Sequence, residues 1–252
     1  MKTIAPQYGG GNGGGGYKPY NDNSSLSHFA FEAGGGFTAP LGNAASGGFT
    51  SIIGDGNKYG TETWGGNFIV GAGWSFTKRF TLLGELSYND NKIPGRTLSA
   101  FYNLIGGSSL TDGSGNPIYS IGGNIHTYGI TAEPVFYYYT SDKHSYSGYI
   151  IGGGGWYHKS VNFTEPAQYC DYYYGYCGVT NQTFSSYSDS GLGANLGTGI
   201  SFKPFGQYSR AKLFAEARYV FVGTPRETAT SNPSDLHTGT EELIPVTVGI
   251  RF

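Results

Sequence analysis

Six charged side chains recur on the polar faces of segments in which polar and apolar residues alternate. They are Glu32, Glu85, Glu133, Glu216, Arg218 and Arg251. If these faces are removed from water, the charges need partners, because an isolated buried charge costs far more than folding can supply. Two interpretations of such a set remain open. One is an ion path or proton relay, and the other is a plug of salt bridges and hydrogen bonds that fills a closed interior. We favour the plug, because a closed barrel of eight strands leaves little free bore.

The two cysteines, Cys170 and Cys177, lie seven positions apart in the segment YCDYYYGYC. Their close spacing among loop residues predicts one local disulfide, formed in an oxidising compartment. Such a disulfide would close a small loop that carries Tyr172, Tyr173, Tyr174 and Tyr176. Tyrosine gives amphipathic contact area at low entropic cost. The loop is therefore a candidate surface for adhesion or docking to another subunit; the alternative is rings that pack among neighbouring loops.

The sequence gives little support to catalysis. The five histidines are scattered, and only His126, in GGNIHTYG, lies near a predicted rim. Spacing fixes no nucleophile beside it. The segment DGSGN lacks the bidentate acid of a calcium loop. We therefore predict no catalytic residue, no metal site and no cofactor. A net charge of −2 also argues against nucleic acid as a partner.

Composition points to an all-β chain. The 252 residues include 44 Gly, 22 Tyr and 16 Phe, and only 13% are charged. This composition favours strands and turns over helices. Eight segments of roughly ten residues alternate with the period of a strand. In GGNFIVGAGWSF, for example, Phe68, Val70 and Trp74 share one face, while Asn67 and Ser75 share the other.

The lengths of the connections decide the predicted architecture. Long connections, at about residues 38–63, 89–123, 159–189 and 223–241, alternate with short ones such as TKR and KPFGQYS. A meander with short turns at one end and long loops at the other has this pattern. We predict an eight-stranded antiparallel up-and-down β-barrel of the transmembrane type, with its polar face toward the lumen and its apolar face toward lipid. Pro134 and Pro245 are expected near strand ends.

The chain ends in EELIPVTVGIRF, where Val248, Ile250 and Phe252 alternate. This ending resembles the C-terminal signature that the assembly machinery of bacterial outer-membrane β-barrels reads. Together with the strand count and the alternation of long and short loops, this ending makes the chain resemble the small eight-stranded barrels of the OmpA/OmpX type. The resemblance covers residues 26–252. It implies a place in the outer membrane or at the cell surface, contact with a lipid bilayer or lipopolysaccharide, and a non-enzymatic adhesive or structural role. Some small barrels are lipid A acyltransferases or deacylases, so a lipid-modifying enzyme is a further hypothesis.

Residues 1–25 form a Gly/Tyr-rich segment without periodicity, which predicts an N-terminal tail ahead of the barrel. A tail of this kind could also connect subunits. The alternative hypothesis is therefore a subunit of an extracellular filament or array, which self-associates through residues 1–25 and the Tyr-rich loop.

Overall fold

A computed structural model describes residues 28–42, 45, 62–93, 98, 122–140, 146–171, 173, 175–204, 211–225 and 237–252. The predicted tail, residues 1–25, lies outside the described residues, as do Tyr172 and Tyr174. Among the described residues, no helix combines the length and the hydropathy needed to cross a membrane.

Eight antiparallel strands form one closed barrel in chain order. The strands are β1 (Phe29–Pro40), β2 (Gly65–Thr77), β3 (Phe80–Lys92), β4 (Gly122–Thr140), β5 (Tyr146–Asp171), β6 (Tyr176–Phe202), β7 (Lys212–Gly223) and β8 (Glu241–Arg251). Each strand pairs with the next, and β8 pairs with β1 from Glu32↔Arg251 to Pro40↔Leu243. The predicted all-β, eight-stranded up-and-down barrel is thus confirmed.

The last residue lies on the seam that closes the barrel. The Phe252 amide donates to the Phe31 carbonyl at 2.8 Å, and the Phe31 amide donates to the Phe252 carbonyl at 3.4 Å. Both rings are exposed on the outer wall. The pairing of β1 with β8 therefore continues to the C-terminus, and no backbone edge is left open there.

Alternation along the strands separates an outer wall from an inner one. The outer wall carries large apolar side chains, such as Phe68 at 52% exposed and Leu196 at 64% exposed. Inward positions are buried whether they are charged, like Glu133, or apolar, like Leu83. The interior is therefore less polar than the sequence predicted. At the end with the short turns, which we call the turn end, Ala30, Leu83, Val135, Tyr137, Tyr149 and Ile151 form an apolar cluster.

Two details of the sequence prediction are wrong. The segment at about 159–189 is not a long loop, because β5 and β6 continue through it to a turn at Gly175 (φ 67°). The alternation of Val161 and Phe163 with Ser160 and Asn162 is short, and beyond it the sequence shows no sustained alternation of polarity that would predict a strand. Pro134 and Pro245 lie inside β4 and β8, and the pairings β4–β5 and β7–β8 are interrupted there. The missing N–H of each proline accounts for these gaps.

Candidate functional site

The charges of the predicted lumen set come from β1, β3, β4, β7 and β8 and are all buried. We call Glu32, Glu85, Glu133, Glu216, Arg218 and Arg251 the turn-side network. Arg218 stands at its centre. Its Nη1 and Nη2 donate to the two oxygens of Glu85 at 2.8 and 2.7 Å, and its Nε donates to Glu216 Oε1 at 2.8 Å. Planar bidentate pairing of this kind fixes a guanidinium in one orientation.

Arg251 forms the second cationic centre, nearer the turn end. Its Nε donates to Glu32 Oε2 at 2.7 Å, and its Nη1 donates to the Tyr137 hydroxyl at 3.2 Å. Its guanidinium also lies 4.8 Å from the centre of the Tyr149 ring, a distance typical of a cation–π contact. The Tyr149 hydroxyl donates to Glu216 Oε2 at 2.8 Å. Glu216 therefore links the two arginines across the lumen.

Glu133 is fully buried, but an amide rather than a guanidinium reaches it. Asn195 Nδ2 donates to Glu133 Oε1 at 2.5 Å, and Glu133 Oε2 has no hydrogen-bond partner among the described residues. Four carboxyl groups of the turn-side network thus face two guanidinium groups. The structure brings five of the six predicted side chains together as ion pairs, whereas Glu133 is bonded to Asn195 instead of an arginine.

Large rings close the lumen around these charges. Tyr149 and Tyr157 point inward from β5 and are buried. Inward glycines on β6 make room for them: a Cβ at Gly199 would lie 2.5 Å from the Tyr149 ring, and one at Gly193 would lie 2.6 Å from the Tyr157 ring. The cavity between Asn67, Glu85, Asn195, Arg218 and Thr247 has a volume of about 20 Å³. That is room for about one water molecule.

A second ion cluster lies at the opposite, loop end, and sequence reasoning missed it. Lys159 Nζ is 3.0 Å from Glu62 Oε1 and 3.6 Å from Glu241 Oε2. Thr127 Oγ1 donates to Glu241 at 2.8 Å. We call Glu62, Lys159 and Glu241 the mouth cluster. Glu241 could have been predicted from the sequence, because it lies an even number of residues from Thr247 and Arg251 and so shares their inward face of β8.

Glu62 precedes β2 and does not belong to a strand. The adjacent Thr63 anchors it: the Thr63 amide donates to the Lys92 carbonyl at 2.7 Å, and Asn91 Nδ2 donates to the Thr63 carbonyl at 2.9 Å. Burial, reinforced by the charge of Glu241, raises the pKa of Glu62 to about 8. One carboxyl of the mouth cluster therefore holds its proton near neutral pH.

Aromatic side chains on the outer wall gather near both ends of the barrel. At the turn end, Phe76 and Phe80 contact each other, as do Phe29 and Trp74. At the loop end, Phe37 stacks on Trp64, and Trp156 stacks on His158. Along β3, Phe80 and Tyr88 lie eight residues apart. At about 3.3 Å per residue and a tilt of about 40°, this separation spans about 20 Å, close to the apolar band of outer-membrane barrels.

The predicted C-terminal assembly signal lies on this same outer wall. Val248 and Phe252 are exposed and Ile250 is half-buried. Their side chains share one face of β8, opposite Thr247 and Arg251. Reading of this face by assembly machinery stays a prediction.

Beyond the barrel, β5 and β6 project as a hairpin. The predicted disulfide is present, and Cys170 and Cys177 are directly opposite partners in the ladder. Of the four predicted contact tyrosines, Tyr173 is 88% exposed. Tyr176 pairs with Asp171 through its backbone, and Tyr172 and Tyr174 lie outside the described residues. The hairpin tip thus presents at least one ring to solvent.

His126, the predicted rim histidine, contacts Tyr88 and Asp90. The Tyr88 hydroxyl and His126 Nδ1 are 2.8 Å apart, and Asp90 Oδ1 lies 3.4 Å from the same nitrogen. The ring also stacks on Tyr88. Among the described residues, no group of three or more His, Cys, Asp or Glu side chains could hold a metal ion.

Several solved bacterial outer-membrane proteins have similar folds. Neisserial surface protein A is 12% identical, with 88% of this chain and 95% of that one covered and a TM-score of 0.47. A major outer-membrane protein of Thermus thermophilus is 12% identical, with coverages of 89% and 98% and a TM-score of 0.44. Ail, the attachment invasion locus protein of Yersinia pestis, crystallised with the heparin analogue sucrose octasulfate, is 15% identical, with coverages of 89% and 97% and a TM-score of 0.39.

No protein-family model and no curated protein sequence matches the chain. The closed strand pairing, rather than these similarities, establishes the barrel. What the chain shares with the outer-membrane proteins named above is its fold.

Proposed function

We propose that the protein is a non-enzymatic β-barrel of the bacterial outer membrane, with a plugged lumen and an adhesive or structural surface. The arrangement of the two walls carries this proposal. Phe68, Leu86 and Leu196 are more than half exposed on the outside, while Glu32, Glu85 and Glu216 are buried inside. A barrel in water would need polar side chains outside and apolar side chains inside. Large apolar side chains on the outer wall are stable in lipid, because lipid removes them from water.

The packing of the lumen supports a plug rather than an ion path. Both arginines are held by carboxylates at hydrogen-bond distance, and the Tyr149 and Tyr157 rings pack against inward glycines of β6. The mouth cluster closes the loop end in the same way. The barrel then spans the membrane without conducting.

The outer hairpin supports the surface role. Its tip is joined by the Cys170–Cys177 disulfide and presents Tyr173 to solvent. A disulfide-joined hairpin with an exposed ring is a suitable contact surface for another molecule, because the cross-link reduces the entropy lost on binding. Hypotheses that rest on residues 1–25 stay predictions, because those residues lie outside the described part of the chain.

Reconstitution tests the barrel and the plug separately. The folded protein should require detergent or lipid for solubility and should fractionate with outer membranes. In a planar bilayer it should give no steady conductance, because the cavity beside Glu85 and Arg218 has room for about one water. Arg218→Ala is the variant to compare with the unmodified protein. It deletes the side chain between Glu85 and Glu216, so any conductance should appear in this variant first. Steady conductance of the unmodified protein would overturn the plug, and solubility without lipid would overturn the membrane barrel.

A further inference from the structure

Strand β6 extends far beyond the strand that flanks it in the barrel. It pairs with β7 only from Leu192 to Phe202, whereas it pairs with β5 out to Tyr176. Near the base of the projection, Asp189 Oδ2 accepts a hydrogen bond from the Thr238 amide at 2.6 Å. Beyond it, residues 177–186 have β5 as their one neighbour among the described strands. We call residues 177–186 the open edge; at about 3.3 Å per residue it is about 30 Å long.

The register shows which backbone groups face outward from the open edge. The Cα atoms of Cys170 and Cys177 are 4.1 Å apart, the short separation of a pair that exchanges no backbone hydrogen bonds. Such pairs alternate along an antiparallel ladder. Val179, Asn181 and Thr183 therefore direct their N–H and C=O groups away from β5, toward an incoming strand.

The two edges of the hairpin are protected very differently. On β5, Pro166 pairs with Asn181, so the N–H that proline lacks is missing from the outer edge of β5. Glu165 and Asp171 add charge to that strand. The open edge has the sequence CGVTNQTFSS, with no proline and no charged residue. Proline and charge are the usual devices that prevent a strand edge from pairing, and here only β5 has them.

An extra strand would also stabilise the hairpin. Beyond Thr164, the last partner of β4, the projection has only two strands among the described residues. Two-stranded hairpins are marginal in water, whereas three or more strands are stable. The disulfide joins the strands but adds no third one. The structure therefore favours a partner that pairs by its backbone.

We propose that the open edge pairs with the open edge of a second copy of this chain, in antiparallel orientation. An uncharged edge can meet itself without like-charge repulsion, and antiparallel self-pairing obeys the two-fold symmetry that homodimers commonly have. Copies in one membrane point the same way, so an antiparallel pair joins barrels from two opposing membranes. The chain would thus be a homotypic adhesin, an inference that rests on the proposed surface location.

Vesicle clustering tests this pairing with the full-length protein. Proteoliposomes carrying the protein should cluster, whereas protein-free vesicles should not, and a synthetic peptide of residues 178–187 should inhibit clustering. Asn181→Pro removes an outward N–H without breaking a hydrogen bond to β5, and should reduce the clustering rate about tenfold or more. Gln168→Pro is the matched control: Gln168 pairs with Val179, so it removes an N–H from the edge that Pro166 already blocks. It should cluster like the unmodified protein.

Thr183→Lys adds a charge to the open edge and leaves every backbone N–H in place. It should also weaken clustering. Every variant is checked for insertion by its heat-modifiable gel mobility. Inserted protein that does not cluster, or equal loss in Asn181→Pro and Gln168→Pro, would overturn homotypic pairing and leave the membrane barrel intact. Failure of the unmodified protein to insert would overturn the proposed function as well.

Discussion

The two ion clusters of the lumen are built in different ways. Every charge of the turn-side network projects from a strand, so the closed ladder holds its position. The mouth cluster takes Lys159 and Glu241 from strands but Glu62 from the connection before β2. One set of charges is therefore fixed by the barrel wall itself. The other depends on Glu62, which is held in place by the hydrogen bonds of Thr63 rather than by the strand ladder.

This difference has energetic consequences. When one partner of a buried pair is removed, the remaining charge stays in a low-dielectric site, which typically costs 3–5 kcal/mol. In the turn-side network the orphaned carboxylates cannot move out of the lumen. In the mouth cluster, Glu62 can relax toward water, and Glu241 keeps its bond from Thr127. Equivalent deletions should therefore have unequal effects.

Arg218→Met should give the largest effect. It removes the bidentate partner of Glu85 and the Nε donor to Glu216. We expect the free energy of unfolding to fall by about 4 kcal/mol, measured by urea titration in lipid vesicles. Arg218→Lys keeps the charge without the planar fork and should recover only part of the loss. A loss below about 1 kcal/mol in the Met variant would contradict a strand-fixed network.

Lys159→Met should cost less, about 2 kcal/mol in the same titration, because the Glu62 side chain lies outside the strand ladder and can turn toward water. If Lys159→Met were as damaging as Arg218→Met, the contrast between the two clusters would be wrong.

The same contrast explains how far the sequence was informative. Period-2 alternation assigns Glu32, Glu85 and Arg251 to a polar face, because a side chain on a strand has only two directions available. It predicted eight strands for the same reason. No period exists for a residue such as Glu62, whose placement depends on how a connection folds back over the mouth.

Two further features were missed for physical reasons. The strand segment SGYIIGGGGWYH has apolar or glycine residues on both faces, so alternation could not show that Tyr149 and Tyr157 point inward. In the outer hairpin the described side chains of both faces, such as Cys177 and Thr180, are exposed, and the sequence there shows no sustained apolar period. Patterns of polarity thus identify strands whose two faces lie in different environments, one in the bilayer and one in the lumen. They fail for strands whose two faces lie in the same environment.

The mouth cluster should also make stability depend on pH. Because burial raises the pKa of Glu62 to about 8, the folded chain keeps a proton between about pH 4.5 and 8 that the unfolded chain has released. Glu62 therefore makes folding less favourable as pH rises through this window, with the loss complete above about pH 8. Glu62→Gln should flatten this part of the profile of unfolding midpoint against pH. A profile unchanged by the substitution would contradict a buried Glu62.

The smallest effect on the barrel should come from Cys170→Ser with Cys177→Ser. A disulfide that closes a loop this short stabilises locally, by about 2 kcal/mol, and the hairpin projects beyond the strands that close the barrel. Protease should cut the hairpin of the variant faster, while the urea midpoint of the barrel should not move. A lower barrel midpoint would show that hairpin and barrel unfold together.

Tryptophan quenching tests the central claim, that the apolar wall faces lipid, most directly. The chain has three tryptophans, and Trp64, Trp74 and Trp156 all lie exposed on the outer wall. In vesicles of brominated lipid their fluorescence should be strongly quenched, most by bromines placed near the headgroups, and iodide in the water should quench little. Strong quenching by iodide with none by brominated lipid would contradict the account.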